Sequence, residues 1–149
     1  MGTAIVAVAG TLLGSLLTFF MTDWRARAER RRREFVEAVT GVLEAFVEFR
    51  AEQYLKIEDR KSGQADTRET RRARYQARSA FTAAIDRLHT ATRDLWLLAA
   101  VEEARRLTVA LGDAATNGGV DSEQVRVIGD QLREHHTVLR DSAARALSR

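Results

Sequence analysis

The chain has 149 residues, a length that suits one domain, and its 24 basic and 21 acidic side chains give a net charge of only +3. Hydrophobic residues make up 45% of the chain, which is too many for a wholly disordered protein. Cysteine and proline are both absent. Disulfides, thiol nucleophiles and thiolate metal sites are therefore excluded, and no proline interrupts a helix.

The first 22 residues contain no charge. At ~1.5 Å per residue, a helix of residues 2–22 spans roughly 31 Å, which matches a hydrocarbon core of about 30 Å. We therefore expect residues 1–23 to form a transmembrane anchor. The alternatives are a buried helix of a soluble protein and a cleaved signal peptide, but no positive charge precedes the apolar stretch, as a signal peptide requires.

The segment directly after the predicted anchor is strongly basic, with six arginines and one glutamate in residues 24–33. Positive flanks stay on the cytoplasmic side, so we expect the N-terminus outside and the rest of the chain in the cytoplasm. A tryptophan at this depth is typical of the membrane interface, and arginines attract anionic headgroups. The predicted headgroup contacts are Trp24, Arg25, Arg27, Arg30, Arg31, Arg32 and Arg33.

Small residues share one side of the predicted anchor when it is drawn as a helix. Gly10 and Gly14 form a GxxxG pattern, and the bulkier leucines and phenylalanines lie mainly on the other side. Small residues let helix backbones approach closely in lipid. We therefore predict self-association of the anchor through Ala7, Gly10, Gly14 and Thr18.

The remainder of the chain predicts amphipathic helices joined by short polar turns. The basic run and first cytoplasmic helix occupy residues 24–58, with an apolar stripe at Phe35, Val39, Val42, Phe46 and Phe49, which Val36, Leu43 and Val47 widen. The further segments are a turn at 59–66, a second helix at 67–111, a loop at 112–120 and a third helix at 121–149. The second helix is long, and a bend near Arg93 and Asp94 is compatible with its pattern although no local signal marks it. The predicted fold is all-α, with one N-terminal transmembrane helix followed by a cytoplasmic antiparallel helical hairpin or three-helix bundle.

Basic residues also cluster near the start of the predicted second helix, at Arg68, Arg71, Arg72, Arg74 and Arg78. The favoured interpretation is that they face acidic residues of the first helix, with Glu52 opposite Arg71 or Arg74 and Glu48 near Arg78. Such pairs would set the register of a hairpin. The other interpretation is a basic patch, distal to the membrane, that binds nucleic acid.

Catalytic patterns are absent from the sequence. His89 is isolated, and the adjacent His135 and His136 point about 100° apart on a helix, whereas a helical metal pair needs a spacing of three or four. No serine has a nucleophile-elbow context, and no glycine-rich phosphate loop is found. We expect no enzymatic activity, no catalytic residue, no metal and no cofactor.

Four features together resemble the KilB-like proteins of actinobacterial conjugative elements, small membrane proteins linked to plasmid transfer and spread. They are AVAGTLLGSLLT at residues 7–18, the arginine-rich run, EAVTGVLEAFVEFR at residues 37–50, and RYQARSAFTAAIDRL at residues 74–88. The resemblance implies a membrane-associated accessory of DNA transfer. It assigns no catalytic or binding residue.

The favoured functional hypothesis is a single-pass scaffold or tethering protein at the plasma membrane, serving plasmid or mobile-element transfer. Its expected partners are the lipid bilayer, further copies of the chain through the anchor and the apolar stripes, and an unidentified protein. One alternative is a membrane-tethered nucleic-acid-binding protein. Another is a small membrane-perturbing protein of the phage or toxin type.

Overall fold

The computed structural model describes the backbone of residues 2–116 and 119–148, and the side chains of residues 21–116 and 119–148. Within these ranges it has four α-helices and one short β-ribbon, which confirms the predicted all-α class. The chain divides into two compact units, residues 1–35 and residues 36–149.

The first unit is helical and belongs to helix α1, Gly2–Lys61. Its described side chains are mostly exposed, including Trp24 at 71%, and Arg27 pairs with Asp23 one turn earlier, at 2.5 Å. Most of the predicted anchor, residues 1–23, lies outside the described side chains. Among the side chains that are described, none of the helices combines the length and apolar character of a membrane span.

In the second unit, α1 buries the apolar stripe that the sequence predicted. Val39, Val42, Phe46 and Phe49 are each at most 3% exposed. Val36 and Val47 were expected to widen this stripe, but they are 40% and 43% exposed and lie outside the core. They are the immediate neighbours of Phe35 and Phe46 along the chain, so the helix turns them about 100° from the buried line.

The turn after α1 stops the helix by a specific hydrogen-bond pattern. Gly63 adopts a left-handed φ of 71°. Its N–H donates to the Arg60 carbonyl, and the N–H of Gln64 donates to the Asp59 carbonyl. This pair of bonds is a Schellman motif, in which glycine takes the left-handed position without steric cost. The observed turn agrees with the predicted break at 59–66.

A single second helix over residues 67–111 was predicted, and that boundary is wrong. The structure has two helices, α2, Arg68–Ala91, and α3, Leu95–Asp113. Thr92 ends α2 in an extended conformation, and the carboxylate of Asp94 accepts hydrogen bonds from the N–H groups of Trp96 and Leu97. Asp94 therefore caps a new helix, because its side chain satisfies backbone donors that a continuous helix would bond internally.

The predicted loop at 112–120 includes the end of α3 and a short antiparallel ribbon. Strands β1, Ala115–Thr116, and β2, Gly119–Val120, pair with Ala115 opposite Val120. Helix α4, Ser122–Leu147, follows at the predicted position. As expected for an N-cap, the Asp121 carboxylate accepts a hydrogen bond from the Gln124 N–H at 2.9 Å.

Phe46 of α1 is fully buried and joins three helices of the second unit. Its ring lies 5.9 Å from Phe81 of α2 and 5.7 Å from His136 of α4, measured between centroids. Along α1 from its start to its end, the contacting residues of α4 have decreasing residue numbers. Phe46 meets His136 whereas Tyr54 approaches Gly129, so α1 and α4 are antiparallel.

Helices α3 and α4 are in contact, and each of them buries small residues. Ala104 and Thr108 of α3 are fully buried, and Ser142, Ala143 and Ala146 are buried on α4. The hydroxyl of Thr108 donates to the Ala104 carbonyl at 2.7 Å and so needs no partner on another helix.

His136 predicts a pH dependence of stability. Burial lowers the pKa of its imidazole from the usual 6.5, and the charges of Arg50 and Arg140 lower it further. The unfolded chain therefore binds the proton more readily than the folded one. The stabilisation from neutral His136 is present above about pH 6.5 and is lost as the pH falls through that value towards the lower folded pKa.

We expect the urea midpoint of unfolding to fall between pH 7.5 and pH 5.5, and H136Q to reduce that fall. H89Q is the matched control, because the His89 side chain is 47% exposed. If H136Q and the parent chain lose stability equally over this range, the proposed role of His136 is wrong.

Candidate functional site

A polar pocket of about 260 Å³ lies where the end of α1, the start of α2 and the end of α3 meet. Apolar side chains form part of its wall, and charged side chains form most of the remainder. Its lining residues are Phe49, Gln53, Lys56, Asp66, Arg71, Arg74, Tyr75, Arg78, Val109, Gly112 and Asp113. Four cationic side chains therefore face two carboxylates in this pocket, which we call the basic pocket.

Asp66 joins the two sides of the α1–α2 turn. Its two carboxylate oxygens accept hydrogen bonds from Arg60 and from Arg74, each at 2.5 Å. All three side chains are less than 20% exposed, so solvent screens these ion pairs only weakly. Burial by itself would raise the pKa of Asp66, but the hydrogen bond and charge of Arg74, with Arg60 and Lys56, outweigh burial and lower it.

Lys56 connects α1 with the end of α3. Its Nζ donates to the Gly112 carbonyl at 2.6 Å, where a helix C-terminus presents unpaired carbonyls and a negative dipole end. Burial lowers the pKa of Lys56, and the charge of Arg74 lowers it further, against the opposing effects of Asp113 and Asp66. The positive charge inside the pocket is thus only partly neutralised.

Gly112 has no side chain, and this leaves space for the side chain of Gln53 beside the end of α3. A Cβ at this position would lie 2.1 Å from Oε1 of Gln53, a side chain only 7% exposed. Any larger residue would displace the amide of Gln53 and alter the floor of the pocket. The glycine therefore serves close packing of α1 against α3.

The predicted patch of five arginines divides into two groups. Arg74 is partly buried and pairs with Asp66, whereas the other four are exposed on α2: Arg68, Arg71, Arg72 and Arg78. The expected pairs of Glu52 and Glu48 with these arginines are not among the ion pairs of the described residues. Asp66 supplies the carboxylate that was expected from Glu52.

The predicted headgroup residues lie exposed on α1 within the first unit. They are Trp24, Arg25, Arg27, Arg30, Arg31, Arg32 and Arg33. The predicted self-association residues Ala7, Gly10, Gly14 and Thr18 fall outside the described side chains, so that contact stays a prediction.

The three histidines occupy separate environments. His89 Nε2 lies 3.9 Å from a carboxylate oxygen of Glu102, and His135 Nε2 lies 2.7 Å from the Ala100 carbonyl oxygen. His136 packs against Phe46. Among the described residues, histidine and carboxylate side chains form no group of three that could hold a metal ion.

Sequence reasoning missed Lys56, Asp66 and Asp113 as members of the site. They come from three different segments, and only the fold brings them together. The position of Asp66 in the sequence could have indicated its role, because it is a lone carboxylate between a glycine-containing turn and an arginine-rich helix. Asp113 had no such signal, because the predicted helix boundaries did not place the end of α3 beside α1.

Asp66 bridges Arg60 and Arg74, so replacing its carboxylate should lower the stability of the fold. D66N leaves Arg60 and Arg74 partly buried without a carboxylate, and we expect a loss of about 3 kcal/mol in the free energy of unfolding. D113N is the control, because Asp113 is exposed and makes none of the ion pairs described; its expected cost is about 0.5 kcal/mol. Denaturant unfolding measures both variants, and equal losses would contradict the bridging role.

Comparison with known proteins identifies the family. The model of the KilB plasmid transfer protein family matches residues 36–147, about three-quarters of the chain, and this confirms the resemblance predicted from the sequence. No match is found among curated proteins or among solved structures. The matched range covers nearly all of the second unit, with the basic pocket inside it. The chain belongs to the KilB plasmid transfer protein family.

Proposed function

We propose that this protein is a membrane-anchored helical scaffold that acts in plasmid transfer. The family match over residues 36–147 carries the assignment to transfer. The anchor is supported by the sequence directly before that range, which has 22 uncharged residues and then six arginines within ten positions.

In this proposal, the chain crosses the plasma membrane once, with its N-terminus outside and residues 24–149 in the cytoplasm. The exposed arginines of residues 25–33 contact anionic headgroups, each contributing about 1 kcal/mol near the surface. Trp24, with its exposed ring, lies at the interface. The arginines therefore set the orientation as well as the binding strength.

The scaffolding role is supported by apolar side chains that the second unit leaves exposed. Leu95 and Trp96 are 77% and 80% exposed at the start of α3, where the Asp94 carboxylate caps the helix by accepting hydrogen bonds from the N–H groups of Trp96 and Leu97. Large aromatic side chains of this kind are the usual anchors of protein–protein interfaces. The proposal assigns the protein no catalytic activity, no metal and no cofactor, and a protein partner that remains to be identified.

The proposed anchor predicts that transfer depends on membrane insertion. Loss of the gene should reduce plasmid transfer in mating assays, and the full chain should restore it. Residues 24–149 alone should fail to restore it, because they lack the apolar segment.

An L13R/L16R variant keeps the full length while placing charges in the apolar stretch, and it should also fail. Alkaline carbonate extraction and the accumulated amount of protein are measured in parallel for each variant. Full restoration by residues 24–149 would contradict the anchor and leave the transfer role in place. Growth arrest on expression of the full chain would favour the membrane-perturbing alternative.

The small-residue side of the anchor predicts self-association. In an M21C background, which supplies the only cysteine, oxidation should crosslink neighbouring anchors. The double change G10L/G14L should lower the crosslinked fraction at least about tenfold, because bulky side chains separate the backbones. The control L13V/L16V alters the opposite side of the predicted helix, and an equal loss there would contradict the specific contact.

A further inference from the structure

Arg71 and Arg78, two exposed arginines that line the basic pocket, form no ion pair with the described residues. Arg74 forms an ion pair with Asp66. No carboxylate among the described side chains lies within ion-pair distance of Arg71 or Arg78. The N–H of Arg71 at Nε makes one long hydrogen bond of 3.4 Å, to the Thr67 carbonyl. Two guanidinium groups at the mouth of the pocket are therefore available to an anion.

Spacing along α2 places these groups on one side of the helix. Arg71 and Arg78 are seven residues apart, which is two helical turns or roughly 10 Å. Tyr75 lies one turn after Arg71, is 69% exposed, and lines the same pocket. An aromatic ring thus stands between two arginines on a single exposed face.

The interior of the pocket adds a positive environment to this face. Arg74 and Lys56 lie close enough that the charge of Arg74 lowers the pKa of Lys56. An anionic group that enters the pocket would relieve this repulsion. The volume of about 260 Å³ admits a phosphate group but is small for a large organic ligand.

From this geometry we infer that the basic pocket and the neighbouring face of α2 bind the phosphate backbone of single-stranded nucleic acid. Arg71 and Arg78 contact phosphates, and Tyr75 stacks on a base between them. Arginines that follow a backbone, interleaved with an aromatic stacking surface, are the general means by which proteins bind single strands. The inference concerns the ligand of the second unit and does not depend on the membrane anchor.

Single strands are favoured over duplex because the base must be free to stack. In a duplex the bases are paired and their faces are covered, so Tyr75 could contribute little. We expect tighter binding to a single-stranded oligonucleotide than to a duplex of the same sequence, and weakening of both as salt rises.

The test is fluorescence anisotropy of a labelled single-stranded oligonucleotide with the purified full chain in detergent. R71Q/R78Q should weaken binding at least tenfold and should lower the slope of log affinity against log salt by about 1.4, which corresponds to two phosphates. Y75A should weaken binding about tenfold, within the range for loss of one stacked base, and Y75F should restore it.

Two controls carry the same change of charge. R126Q/R133Q removes two exposed arginines of α4 that pair with Glu123 and Asp130, and R31Q/R32Q removes two arginines of the juxtamembrane run. Both should retain affinity within about twofold. Thermal unfolding of every variant separates loss of binding from loss of folding.

Three outcomes would overturn the inference. The first is no binding at low salt. The second is an equal loss in either control pair, which would indicate a general charge effect. The third is displacement by poly-glutamate as effective as displacement by unlabelled oligonucleotide, which would indicate an acidic protein ligand instead. Failure of anchoring, by contrast, would leave these binding results unchanged.

Discussion

The second unit depends on the burial of Phe46. This one side chain of α1 contacts Phe81 of α2 and His136 of α4, so three helices share a single fully buried ring. An aromatic ring in such a position combines a large buried apolar area with specific ring-to-ring geometry. The rest of the described core is rich in alanine, and its other buried aromatic side chains are Phe49 and Phe81.

The position of α1 in this core determines the site. One face of α1 packs on Phe81, and further along the helix Gln53 and Lys56 meet the end of α3 at Gly112. Asp66 then ties the following turn to α2 through Arg60 and Arg74. The walls of the basic pocket come from segments that are distant in sequence. The pocket therefore forms only when α1 is packed against α2 and α3.

The sequence predicted the helical class, the α1 stripe, the break after α1 and the capped start of α4, because each leaves a local signal of periodicity, glycine or an N-cap. A bend near Arg93 and Asp94 was left open, but the division into α2 and α3 was not predicted, because an Asp within an apolar periodic segment is equally compatible with a surface position on one helix. The site was predicted only in part. The arginines of α2 were visible as a cluster, whereas the roles of Asp66 and Lys56 depend on tertiary contacts. The pairing of Arg74 with Asp66 in place of Glu52 follows from the turn geometry, which no local pattern specifies.

We expect the four helices to pack within one chain, with Phe46 buried between α1, α2 and α4, and double electron–electron resonance measures this packing. Because the chain lacks cysteine, spin labels can be placed at E48C on α1 and T137C on α4, two exposed positions near the contact of Phe46 with His136. We expect one short, narrow distance distribution that is unchanged when the labelled protein is diluted tenfold with unlabelled protein. Disappearance of that distance on dilution, or a broad distribution that F46A leaves unaltered, would contradict this packing.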